Sequence, residues 1–372
     1  MSYPPPGGPP PGNYGPPQGN PGQWGPPHQP PWPQQQWSQG PPPKKRSNGW
    51  KWALGGVALL AVIGLTAAVT ISVTSDDGDS GDTSPSGETY GLASADDRGP
   101  ATIITEDPTC AAWMPINRAL GAVLKRGWSR RDATIPEGNW TPDLRVQYEE
   151  VGDALKLATD QTVRLAKQTP HRVMRELYEQ FIAYGRAFTD AIPTYTEEDN
   201  HLALASITTT NVVVFVCSAI HYGSAKARAP LIDAPPSPSE VPKLADPDAA
   251  APLFARADTT CDEWDRILNG FNDQTKAWQS IDPDIPATDW TAEQRAVVEA
   301  VIPVMHRSAD DFERLGEETT NLTLRDLAVF AAQYRRAYAE ALPTYITADK
   351  YLDLTAYRVS SVIYEACKAV GT

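Results

Sequence analysis

Residues 208–217 read TTTNVVVFVC, and residues 358–367 read RVSSVIYEAC. Taken alone, the first stretch has the β-branched enrichment of a buried strand. The second carries Arg358 and Glu365 seven apart on one helical face. The two occupy equivalent places in a duplicated sequence, and duplicated units share a fold, so the second decides for both. The reading is helix, and with it an all-α protein.

The duplication appears when residues 107–220 are laid over 257–370. TCAAW at 109–113 meets TCDEW at 260–264, and IPEGNWT at 135–141 meets IPATDWT at 285–291. Beyond that point the register holds without a gap: Arg145 meets Arg295, Asp160 meets Asp310, Arg175 meets Arg325, IPTY at 192–195 meets LPTY at 342–345, and Cys217 meets Cys367. Two copies of one unit follow, over 107–223 and 257–372. Within each, apolar residues recur at helical spacing, as in Val173, Leu177, Phe181, Tyr184 and Phe188. Thr141-Pro142 reads as an N-cap and first-turn proline, Thr291–Gln294 and Thr196–Asp199 as capping boxes, and Pro193 and Pro343 as stops. Four helices per copy are expected, at about 110–127, 142–168, 171–192 and 197–222, then 261–277, 292–318, 322–342 and 347–370.

In an up-down-up-down bundle the start of the first helix lies beside the end of the fourth. That geometry predicts disulfides Cys110–Cys217 and Cys261–Cys367, one closing each bundle. Metal binding by the cysteines is not expected, since no CxxC pair exists.

The bundles stand on one side of Ala53–Thr74, ALGGVALLAVIGLTAAVTISVT, which has no charged side chain and no equal elsewhere in the sequence. It is long enough for a transmembrane helix. Lys44, Lys45, Arg46 and Lys51 precede it, and Asp76, Asp77, Asp79 and Asp82 follow, which predicts a cytoplasmic N-terminus and an extracytoplasmic C-terminal region. Gly64-xxx-Ala68 is a spacing that lets two spans approach, but nothing else supports a homo-oligomer. Before the span, residues 1–52 hold 17 of the 36 prolines together with Tyr3, Tyr14, Trp24, Trp32 and Trp37, the composition of a disordered tail that offers dispersed aromatic contacts or serves as a spacer. After it, 75–106 reads as an acidic flexible stalk, and 224–256 as a proline-rich linker between the copies.

A Pro/Gly/Gln tail with interspersed Tyr and Trp, then a basic patch and one span, resembles the N-termini of mycobacterial-type envelope proteins of actinobacteria. The resemblance covers roughly the first 75 residues and implies a place, the cell envelope, and no activity.

All 46 acidic residues lie after residue 52, against 28 of the 32 basic ones. A nucleic-acid partner is therefore not expected on the external side, since neutralising phosphates takes clustered Lys and Arg. The histidines His28, His171, His201, His221 and His306 form no HExxH and do not align between copies, and no GxSxG, Walker or dinucleotide motif is present. No catalytic residue, metal site or cofactor is expected. Asp160–Arg164 and Asp310–Arg314 read as i, i+4 ion pairs on a helix face. The aromatic residues shared by the copies at turns, Trp140 with Tyr195 and Trp290 with Tyr345, are the candidate binding surface, with core packing as the other reading. The expected function is a single-pass envelope protein that acts as a non-catalytic interaction or scaffold protein between a cytoplasmic assembly and the extracytoplasmic space. The alternatives are an extracytoplasmic carrier or sensor of an apolar ligand, and an enzyme with an unrecognised site.

Overall fold

Thr141 begins the longest helix of the first copy as its side chain accepts a hydrogen bond from the Leu144 N–H at 3.2 Å, with Pro142 in the first turn where a missing donor costs nothing. The structure, a computed structural model, describes residues 88–371. The tail, the 53–74 run and residues 75–87, with the expectations placed on them, lie outside the described residues. The first copy folds as α1 (Cys110–Leu124), α2 (Pro142–Gln168), α3 (Arg172–Ala191) and α4 (Asn200–His221), followed by a short α5 (Ser224–Arg228). The second folds as α6 (Cys261–Gln274), a turn of helix α7 (Lys276–Gln279), α8 (Ala292–Glu318), α9 (Leu322–Ala341) and α10 (Lys350–Lys368). No strand occurs among the described residues. The β-branched run at 208–217 is helical, because its side chains are surrounded by other helices and packing outweighs propensity. Both capping boxes form: Thr196 N–H donates to Asp199 at 2.8 Å, and Thr291 N–H to Gln294 at 2.9 Å.

In each copy the helices pack in a ring, α1 on α2 on α3 on α4 and back to α1, and likewise α6, α8, α9 and α10. The ring brings the first helix beside the end of the fourth. Both disulfides form as expected, Cys110–Cys217 and Cys261–Cys367. The cores are not identical. Gly185 lets α3 close onto α2 and α4, where an added Cβ would come within 2.7 Å of Thr159. The equivalent of Gly185 in the second copy is Arg335, whose guanidinium is buried, pairs with Asp353 and lies over the Phe271 ring at 4.4 Å.

The largest contact between helices joins α4 to α10, across the two copies. His201 Nδ1 meets Glu365 at 2.7 Å, and Phe215 meets Tyr351 with ring centroids 6.3 Å apart. His201 is the counterpart of Tyr351 and Phe215 that of Glu365. The two contacts therefore exchange under a pseudo-two-fold axis, with α4 and α10 antiparallel, the isologous arrangement of a dimer built into one chain.

This packing corrects two boundaries. Residues 75–106 were expected to be a stalk, but Leu92, Ala101, Ile103 and Ile104 are buried, and the Ile104 N–H donates to Tyr334 of the second copy at 3.3 Å. The 224–256 linker likewise contains α5 and the buried pair Leu253 and Phe254, whose backbone faces the Tyr184 hydroxyl of the first copy. Tyr334 is the counterpart of Tyr184, so the two lead-ins meet equivalent hydroxyls. Each copy's lead-in thus reaches the other copy as well as its own. Arg228 adds a clasp at the end of α5, with its Nη2 on Asp349 at 2.7 Å. One further expectation changes. Glu197–His221 is also long and apolar enough to cross a membrane, so 53–74 is not the sole run of that kind. In the fold it packs against α1, α3 and α10, and its apolarity is explained by that burial.

Candidate functional site

The four aromatic residues expected to form a surface lie mostly inside. Trp140, Tyr195 and Tyr345 are buried and Trp290 is half-buried. Their polar atoms are taken by their own copy: Trp140 Nε1 donates to the Ile135 carbonyl at 2.8 Å and Tyr195 OH to that of Ala133 at 2.8 Å, as Trp290 does to Ile285 at 3.0 Å and Tyr345 to Pro283 at 2.6 Å. Glu137 N–H to Tyr195 O and Ala287 N–H to Tyr345 O, both 2.9 Å, complete the clamp. The structure brings each Trp to its own Tyr, at 5.5 and 5.7 Å between centroids, and makes no common groove of the four. They hold the connections before α2 and α8 against the ends of α3 and α9. Asp160 and Asp310 also find other partners than expected. They pair across helices with Arg186 at 3.0 Å and Arg336 at 2.8 Å, in equivalent fashion in the two copies.

Charges missed in the sequence gather where α3 meets α9. Arg172, only 2% exposed, holds Asp326 through Nε at 2.8 Å and Nη2 at 3.2 Å, and its Nη1 donates to the carbonyls of Asp97 and Gly99 at 2.9 and 3.0 Å. Under the pseudo-two-fold the counterpart of Asp326 is Glu176, and that of Arg172 is Leu322. Glu176 accordingly lacks the guanidinium its twin enjoys: it is buried, neither carboxylate oxygen accepts a hydrogen bond, and Arg172 and Arg175 approach no closer than 3.8 Å. Burial, then the nearby Asp326 carboxylate, push its carboxyl well above the ordinary range against the pull of Arg175 and Arg172. Burial raises Glu179, one turn on, from 4.5 to about 7, against the pull of Arg175.

A carboxyl raised by folding is favoured in its protonated form, so its contribution is fully present below the unfolded value of 4.5 and is lost as pH rises through about 7. Glu179→Gln should therefore flatten part of the pH dependence. Relative to the parent it should gain about 3 kcal/mol between pH 4.5 and 7.5. Urea unfolding of both proteins across that window measures it, and a constant difference would contradict the raised carboxyl.

Beside these charges opens a cleft of ≈ 570 Å³. One wall is the segment Leu231–Pro238, the other is α8 and α9 with His306, Glu313, Glu317, Arg336 and Glu340, and Asp326 and Gln333 lie in the floor. The cations here are engaged: Arg336 binds Glu313 Oε2 and Asp310 at 2.8 Å each, and Arg325 donates to the Glu240 carbonyl. Gln333, 2% exposed, lines the cleft. Among those residues no group of three or more His, Cys, Asp or Glu is arranged to hold a metal. What the cleft offers is recognition of a polar or charged group.

The family model described as mycobacterial ESX-1 associated protein matches residues 92–371, beginning at the first buried residue of the lead-in. The chain belongs to this family. The matched span takes in both copies and both lead-ins, so the family unit is the fused pseudo-dimer and not one bundle. A protein of Mycolicibacterium smegmatis (strain MKD8), described as uncharacterized, is 45% identical over 346 residues, 91% of each chain. A match of that length extends beyond 92–371 and reaches back through the 53–74 run. No solved structure matches the chain.

Proposed function

We propose that this ESX-1 associated chain is a single-pass envelope protein and a non-catalytic interaction partner of the ESX-1 secretion machinery, with its folded unit outside the cytoplasmic membrane and its tail inside. The observation that carries the reading is the pair of disulfides, one in each copy of the family unit. Such bonds persist in oxidising surroundings and are rare in a reducing cytosol. They agree with the orientation expected from the basic flank before residue 53 and the acidic flank after residue 74. The aromatic-studded tail supplies contacts on one side and the fused pair of bundles supplies them on the other, which suits a protein that joins assemblies across a membrane better than one that turns over a soluble substrate.

Deleting residues 2–40 tests this. The protein should remain folded, exported and disulfide-bonded but lose recruitment to the ESX-1 machinery, read as co-purification with its membrane components and as secretion of its substrates. Unchanged recruitment and secretion would reject the two-sided role.

A further inference from the structure

The cleft has a counterpart on the first copy, and that counterpart is occupied. There an extended stretch of the chain lies on α2 and α3: Lys167 meets Asp246 at 3.1 Å, Arg186 Nη1 donates to the Asp248 carbonyl at 2.7 Å, and Gln180 reaches the Ala251 carbonyl at 3.4 Å. The groove is basic where the occupant is acidic. In the second copy the same positions have changed sign or polarity, with Glu317 in place of Lys167, Glu313 in place of Val163, His306 in place of Lys156 and Gln333 in place of Ala183. Arg336, the counterpart of Arg186, is already neutralised by Asp310 and Glu313. The groove is open, its lining carries five carboxylates against two arginines, His306 lies 3.2 Å from Glu340, and Gln333 is in the floor.

We propose that this cleft receives an extended, basic polypeptide segment of a partner protein. The segment lies along α8 and α9 as residues 246–251 lie along α2 and α3. A Lys or Arg side chain is drawn to Glu317, and to Glu340 in competition with His306, and a main-chain amide is read by Gln333. The proposal rests on the reading of this chain as an interaction protein, and names the chemistry of a partner for it.

The probe is a fluorescein-labelled octapeptide of alternating arginine and alanine, with a glutamate–alanine peptide as its opposite, titrated against the full chain in detergent. The arginine peptide should bind saturably and weaken with added salt, and the glutamate peptide should not bind. The variant Glu313→Val/Glu317→Lys/Gln333→Ala carries the residues that the first copy holds at these positions, and should weaken binding at least tenfold at an unchanged melting temperature. Glu293→Lys/Glu299→Gln makes the same change in net charge at exposed sites elsewhere on α8 and should bind as the parent does. No binding by the parent, or equal loss in both variants, overturns the proposal. If the arginine peptide fails while deletion of residues 2–40 still abolishes recruitment, the cleft falls and the interaction role stands. If the peptide binds as described but that deletion changes nothing, the cleft stands and the two-sided role falls.

Discussion

Replacing Arg172 by leucine, the residue its counterpart position 322 holds, is expected to lower the unfolding free energy by about 3–5 kcal/mol. The size comes from what is left behind. Asp326 is buried and its carboxylate is met by Arg172 through two nitrogens, so the substitution strands a charge in the middle of the molecule, beside a Glu176 that already lacks a hydrogen bond. It also removes two bonds to the lead-in, at Asp97 and Gly99. Adding Asp326→Asn should recover more than half of the loss, since the double variant no longer buries the stranded charge. Urea unfolding of the two single variants and the double one measures this. A loss below about 1 kcal/mol for Arg172→Leu would mean that the pair does not hold the copies together.

Removing either disulfide by serine substitution is expected to cost about 4–5 kcal/mol in the chain-entropy model, since the bonded cysteines are 107 and 106 residues apart. The more telling outcome is the shape of the transition. Because α4 packs on α10 and each lead-in also reaches the opposite copy, losing Cys110–Cys217 should lower one shared unfolding transition, and losing Cys261–Cys367 should lower the same one. Two separated transitions in either variant would describe independent bundles on a string.

The helices, their caps and the disulfides were legible because their signals are local and written twice. The lead-ins were not. Ile103-Ile104 and Leu253-Phe254 are short apolar pairs in stretches rich in Asp, Pro and Ala, with no period to mark them, and the tyrosine hydroxyls they meet, of Tyr334 and Tyr184, belong to the other copy. The turn aromatics show the opposite limit. Trp140 and Tyr195 were visible as shared residues, but whether such a ring meets a partner or its own loop depends on the carbonyls of Ile135 and Ala133, which sequence does not place. The positions that the copies share stand out in the sequence, whereas the buried charges and the cleft lie where the copies differ: Arg172 against Leu322, Glu317 against Lys167, Gln333 against Ala183. Those differences take on meaning only once the pseudo-two-fold shows which residues face one another.

Cysteine labelling of intact cells tests the two-sided arrangement most directly, and all four native cysteines are in disulfides and silent to the reagent. A membrane-impermeant maleimide should modify a Ser80→Cys variant in whole cells and reach Ser38→Cys only after lysis. Labelling of Ser38→Cys with protection of Ser80→Cys would put the bundles in the cytoplasm and contradict the proposed role.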